Sequence, residues 1–122
     1  MKIAVYGTLR QGYGNNAYCL ARSKFITAGT VQGINMYSSG GFPVCAKTDN
    51  NSATVVVEVF EVVPHDLALC DRLEGHPTWY KREPVRVLSE NGEWLEAEMY
   101  LQEEEDVAHL NHITSGDWKT VR

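Results

Sequence analysis

Val55-Val56-Val57-Glu58-Val59-Phe60-Glu61-Val62 reads as a strand that is apolar on both of its faces. Val55, Val57 and Val59 fall on one side; Val56, Glu58, Phe60 and Val62 fall on the other. β-Branched and aromatic residues favour extended backbone, and a strand apolar on both sides must be covered on both sides. A barrel wall with a helix against its outer surface supplies that cover. Directly after the strand the hydrophobic period changes. Pro64 suits a first helical position, Leu67, Leu69, Cys70 and Leu73 form an apolar stripe at helical spacing, and Gly75 is a natural stop. Further on, Val85, Val87 and the run Trp94 to Leu101 flank Asn91-Gly92, a two-residue hairpin signal. In the second arm Leu95, Ala97, Met99 and Leu101 share one face.

Upstream, Lys2 to Tyr6 is a short buried strand and Gln11 to Asn16 a loop. Asn15-Asn16 predicts a capping pair for a short helix over Ala17 to Arg22. Lys24 to Tyr37, punctuated by Gly29 and Gly33, reads as strand, bend, strand, and Ser38 to Gly41 as a turn. At the far end, Asp106 to Ile113 predicts a helix, with Glu103-Glu104-Glu105 as a solvated acidic cap on its positive end. The pattern is α+β and mostly β, expected as a compact, mainly antiparallel β-barrel flanked by short helices. No repeat or linker divides it, so residues 1–122 are read as one domain.

Composition narrows the function classes. A chain of 122 residues with 43% hydrophobic and 22% charged residues has the make-up of an ordinary globular protein able to bury a real core. Its net charge of −5, with no cluster of Lys and Arg, argues against nucleic acid as a partner. Cys19, Cys45 and Cys70 are odd in number and lack metal-type spacing, which points to free thiols in a reducing cytoplasm. The chain starts on strand residues without a signal-peptide pattern, and no run approaches membrane-spanning length. The expectation is a cytoplasmic monomer with no membrane or nucleic-acid partner.

Two segments carry the chemistry. In Tyr6-Gly7-Thr8-Leu9-Arg10 the glycine lets the chain turn out of the first strand, so the following amides face a cavity. An oriented set of main-chain N–H groups suits a small anion such as a carboxylate. In Asp71-Arg72-Leu73-Glu74-Gly75-His76-Pro77, Glu74 continues the Leu67/Cys70 face and sits in the last helical turn. Burial and the negative end of the helix dipole both disfavour its ionised form, which suits a base that later acts as an acid near neutral pH. The residues alone leave each segment open to a plainer reading. Tyr6 to Arg10 also fits a strand end with a surface turn, and Glu74 fits a surface residue before a glycine cap or a partner of Arg72 or Arg82. Tyr80 and Arg82 either line a pocket or pack on the barrel. Gly12-Tyr13-Gly14 lacks the third glycine of a dinucleotide fingerprint, and His109 and His112 lack a third ligand, so neither a nucleotide cofactor nor a metal is expected. Cys70 beside His76 could form a nucleophile and base, yet its place in the apolar stripe favours a core thiol.

Taken together and in this order, the two segments resemble the gamma-glutamylcyclotransferase-like family, which includes the AIG2-like proteins. The resemblance lies in Val5-Tyr6-Gly7-Thr8-Leu9-Arg10 with Gly12 and Asn15, in Val55 to Val62, and in Asp71-x-x-Glu74-Gly75-x-Pro77-x-x-Tyr80-x-Arg82. The closing Ser115-Gly116-Asp117-Trp118 is similar too, so the likeness spans nearly the whole chain. It implies a barrel with a pocket between the Tyr-Gly-Thr-Leu loop and the glutamate. It also implies cleavage of a gamma-glutamyl amide by the substrate's own α-amine, releasing 5-oxoproline and an amine or amino acid without a cofactor. In that case Glu74 is the catalytic group, and Tyr6, Gly7, Thr8 and Leu9 cradle the substrate. Val57 stands where many members carry Gly, which is expected to reshape one wall of the pocket. The main alternative is a catalytically silent module that binds a small carboxylate in the same cavity. Glu74 favours the enzyme, because a binder of anions gains nothing from a buried carboxylate. A structural or partner-binding protein is a third possibility and predicts a large exposed apolar patch.

Overall fold

The computed structural model describes residues 1–120. Strands β1 (Lys2–Val5), β2 (Lys24–Gln32), β5 (Thr54–Glu61), β6 (Lys81–Ser89) and β7 (Trp94–Leu101) close a barrel in the order β1-β5-β2-β6-β7. All of its pairings are antiparallel except β1 with β7, where Ile3 lies opposite Glu98 and Ala4 opposite Met99. Strands β3 (Ile34–Ser38), β4 (Pro43–Lys47) and the short β8 (Asn111–His112) form a separate sheet in the order β4-β3-β8. Helices α1 (Gly14–Cys19), α2 (Pro64–Glu74) and the single turn α3 (Glu104–Val107) complete the fold, with a 3₁₀ turn at Trp118–Thr120.

The two-sided strand does what its sequence requires. Val55, Val57 and Val59 of β5 are fully buried in one core cluster, with Ala4, Val85, Val87, Ala97 and Met99 from the other strands. Phe60 and Val62 belong to a second cluster outside the wall, with Cys70 of α2 and Cys19 at the end of α1. Gly29 does not break β2. It sits inside the strand because a Cβ there would come within 2.5 Å of the Leu88 carbonyl on β6. Gly33, at φ +76°, makes the bend instead.

Three local expectations are corrected. Helix α1 starts before the asparagines rather than after them. The side chains of Asn15 and Asn16 cap nothing; they bond back to Thr8 Oγ1 at 3.0 Å and the Leu9 carbonyl at 2.7 Å. The hairpin is wider than a two-residue turn: Gly92 N–H donates to the Ser89 carbonyl, and Gly92 alone adopts positive φ (+85°), the three-residue loop with a left-handed glycine. The tail forms one helical turn, after which Asn111–His112 pairs with Tyr37 and Ser38 at the edge of β3. A helix this short is marginal alone, and the open edge of β3 offers its backbone better partners. Within the acidic run, Glu104 is not a solvated cap, for it bonds the Tyr37 hydroxyl.

Candidate active site

Strand β1 delivers Tyr6 to the barrel rim, where the chain turns with Arg10 N–H donating to the Gly7 carbonyl at 3.0 Å. Glycine is required at position 7 by crowding, since a Cβ would meet Pro43 Cγ at 2.6 Å. Its φ is not positive, so close approach and not turn geometry selects it. Pinned by Asn15 and Asn16, the loop presents the N–H groups of Gly7, Thr8 and Leu9, which bond no acceptor among the described residues. Tyr6, Gly7, Thr8, Leu9 and Asn15 line a cavity of about 360 Å³.

Glu74, the last residue of α2, lines the same cavity. Gly75 caps the helix in the left-handed conformation (φ 66°), and Gly75 and His76 N–H close back on α2 carbonyls. The helix front is set by Pro64 and by Asp66, which is fully buried and accepts from Arg22 N–H at 2.9 Å and the Ser23 hydroxyl at 2.8 Å. Glu74 is half-buried, and that burial pushes its carboxyl up to about 7. Its carboxylate accepts no hydrogen bond from the described residues, and the arginine that the sequence offered it as a partner is occupied elsewhere. Arg82 Nε donates to Asp71 Oδ1 at 2.8 Å, and Arg82 also pairs with Glu98. Tyr100 hydroxyl donates to the same Asp71 oxygen at 2.6 Å. Arg82 is thus a partner of Asp71 and Glu98, and the Asp71–Arg82–Tyr100 cluster props one wall of the site.

The cavity floor is aromatic. Tyr6 hydroxyl donates to the Tyr100 carbonyl at 2.7 Å and Tyr80 hydroxyl to the Pro43 carbonyl at 3.1 Å. Burial raises both phenols, so they stay neutral. Tyr80 lines the pocket and Arg82 does not. Cys70 is a buried thiol pushed up to about 12, with no character of a nucleophile. Val57 points into the barrel core and does not touch the cavity, so the expected reshaping of its wall is not found. Leu73 leaves the apolar stripe and stands 42% exposed at the mouth. Among the described residues no cluster of His, Cys, Asp or Glu is arranged to hold a metal, and His112 lies on β8 rather than on a helix with His109. Among the described residues no helix is long and apolar enough to cross a membrane.

Sequence reasoning missed Asn15 and Asn16 as loop clamps, Asp71 and Tyr100 as wall supports, and Phe42, Pro43 and Trp79 as lining. The polar types at 15, 16 and 71 were visible, but their partners lie across the fold.

A closed barrel in which one unpaired carboxylate and a glycine-turned loop line the same cavity defines a class of small pocket proteins. The model of the family described as "Gamma-glutamyl cyclotransferase, AIG2-like" matches residues 3–120, and the chain belongs to that family. A protein of Methanocaldococcus jannaschii, named provisionally as a gamma-glutamylcyclotransferase, is 36% identical over 121 residues, spanning 98% of this chain and 97% of its own. A provisionally named gamma-glutamylcyclotransferase of Vibrio cholerae is 30% identical, spanning 95% of this chain and 93% of its own. The crystal structure of a mouse AIG2-like protein shares the fold at a TM-score of 0.72 and 24% identity, covering 83% of this chain and 76% of that one.

Proposed function

We infer that this protein is a gamma-glutamylcyclotransferase that cleaves a gamma-glutamyl amide into 5-oxoproline and a free amine or amino acid. The observation that supports this most is the placement of Glu74, unpaired and with its carboxyl near 7, in one cavity with the Gly7, Thr8 and Leu9 amides. Nucleophile and electrophile belong to the same substrate, so the protein has only to hold a ring-closing pose. Such preorganisation is worth up to about 7–11 kcal/mol. Ionised Glu74 takes a proton from the α-ammonium, and the freed amine attacks the γ-carbonyl to form a five-membered ring. Over the reaction the α-nitrogen loses two protons and the leaving nitrogen gains two, relayed through Glu74 as the amide C–N bond breaks. The free amides hold the substrate's α-carboxylate or the developing oxyanion.

The test is incubation with a panel of gamma-glutamyl compounds and mass detection of 5-oxoproline. Wild type releases it, and Glu74→Gln lowers the rate by about 10²–10⁴-fold while retaining ligand binding. Glu90→Gln, on the exposed hairpin loop, serves as the control and leaves the rate unchanged. Small-carboxylate binding without 5-oxoproline from any compound would establish the silent module instead.

A further inference from the structure

A second cavity, of about 750 Å³, shares no lining residue with the first. It opens where two barrel strands part. β2 and β6 pair only at Gly29–Ser89 and Thr30–Leu88. Past Thr30, β2 stays on β5 and then turns away at Gly33, while β6 stays on β7 as far as Lys81. The wedge between them is lined by Val31, Ile34 and Val85 from the barrel core, and by Lys47, Arg86 and Trp94. Main-chain groups are left open on both of its sides, because alternate residues of an antiparallel ladder turn their N–H and C=O to opposite neighbours. At the end of β6, Ser89 N–H bonds the Glu93 carbonyl on the β7 side, and Glu90 N–H bonds the Ala28 carbonyl of β2. Even-numbered residues of β6 therefore face β2. Leu88 meets Thr30, Arg82 N–H goes to the His76 ring at 3.1 Å, and Pro84 has no N–H to place. Arg86 is left with both main-chain groups toward the wedge. On β2 the same alternation turns Gln32 there, since Gly33 N–H bonds the Ala53 carbonyl on the β5 side. Proline within a sheet belongs on an edge, and Pro84 marks this stretch of β6 as one.

The side chains around the wedge are also short of partners. Among the described residues Arg86 makes no ion pair; its guanidinium carbon lies 4.8 Å from the Trp94 ring centre, and Trp94 is 50% exposed. Stacking on the indole fixes the guanidinium plane and leaves its edge N–H donors for an anion. Glu104 lines the same cavity: its Oε1 takes Asn35 Nδ2 at 3.4 Å and the Tyr37 hydroxyl, while Oε2 is buried without a partner.

We propose that the wedge binds a short, extended peptide segment, which adds a strand between β2 and β6. Its main chain bonds the open groups of Gln32 and Arg86. Apolar side chains on one face of the added strand pack on Val31, Ile34 and Val85, and the residue between them, on the other face, carries a carboxylate to Arg86. Asp49 and Glu104 line the same space, so one carboxylate flanked by apolar residues fits where a run of them does not. Glu104 Oε2 is an acceptor to spare for a peptide N–H. This site does not depend on the cyclotransferase reading.

NMR titration of the isotope-labelled protein with acetyl-Thr-Val-Glu-Val-Thr-amide tests the proposal. The peptide binds, with amide shifts centred on Gln32, Arg86 and the Trp94 indole N–H and none at Gly7 to Leu9. The counterpart with Lys in place of Glu binds about tenfold or more weakly. So does the peptide methylated on its three central nitrogens, which keeps the side chains but donates no main-chain bond from them. Arg86→Glu reverses the preference between the Glu and Lys peptides, and Arg86→Gln, which removes the charge without inverting it, brings the two within about threefold. The spectrum away from the wedge reports that each variant is folded. Absence of shifts at Gln32, Arg86 and Trp94, or a charge preference that neither variant moves, overturns the proposal. Equal binding of the methylated peptide overturns it too, since the wedge would then hold a small anion and not a strand.

Discussion

Glu74 is a carboxylate that the fold keeps from its cations. Arg82 is committed to Asp71 and Glu98, and Arg72, two residues before Glu74, faces solvent. Burial therefore acts on Glu74 unopposed, and its folded pKa of about 7 lies above that of an unfolded glutamate. The sign of the stability effect follows. Between about pH 4.5 and 7 the unfolded chain releases this proton before the folded one does, so the residue costs stability as pH rises, and the full cost is present above 7. Glu74→Gln is expected to be more stable than wild type at pH 8 by about 1–3 kcal/mol, with the gap closing near pH 4. Urea unfolding of both proteins across that range checks it; a constant gap would mean that Glu74 is not desolvated. A less active but more stable variant is the usual signature of a group kept for chemistry.

Helix α2 acts as a ruler among the elements. Asp66 in its first turn, Asp71 one turn before its end and Glu74 at its end each meet a different part of the fold. Asp66 locks the helix front to the connection between α1 and β2. Burial alone would raise its pKa, but bonds from Ser23, His65 and the Arg22 N–H outweigh this and hold it below the usual value. Asp66→Ala leaves the Arg22 amide and Ser23 hydroxyl without that acceptor, and should destabilise by about 1–3 kcal/mol per orphaned donor. Because the helix then loses its registration, 5-oxoproline release should fall as well, chiefly through kcat. Unfolding curves and steady-state kinetics on Asp66→Ala and Asp66→Asn measure both effects. The helix was legible from Pro64, its apolar stripe and Gly75, all local signals. Asp66 was not, because an aspartate in a first helical turn looks the same whether it faces water or a neighbouring loop.

Across the whole molecule, a buried charge network ties the site loop to both the barrel and the chain end. Arg10 is 6% exposed, and its Nε donates to Glu58 on β5 at 2.9 Å while Nη1 donates to Asp117 at 2.7 Å. Glu58 also accepts the Gln11 N–H at 2.8 Å, and Lys119 Nζ stands 3.7 Å from it. Gly116 lets the closing segment lie on β5, where a Cβ would come within 2.0 Å of the Thr54 carbonyl, and its own carbonyl accepts Val56 N–H at 2.8 Å. Arg10→Leu strands Glu58 inside the protein and should cost about 3–5 kcal/mol. Arg10→Leu with Glu58→Leu should recover a large part of that loss, since two buried apolar groups carry no unpaired charge. A double-mutant cycle by urea unfolding measures the coupling, and strict additivity would show that the pair contributes nothing jointly.

The sequence by itself determined what depends on near neighbours and on period. The two-sided valine strand demanded a wall covered on both faces, and the helix that follows carried Glu74 on its buried side. The turn after β1 and the order of the two motifs pointed to the family. Only the tertiary structure decided which charges meet. The strand's period put Glu58 on the covered face with Phe60 and Val62, but nothing local showed that it pairs with Arg10, 48 positions away. Arg82 read as an open partner for Glu74, yet it goes to Asp71 and Glu98 and so leaves Glu74 unpaired. The tail read as a helix until the edge of β3 competed for its backbone. In each case the deciding free energy comes from desolvating or pairing groups far apart in the chain, and local sequence holds no record of that proximity.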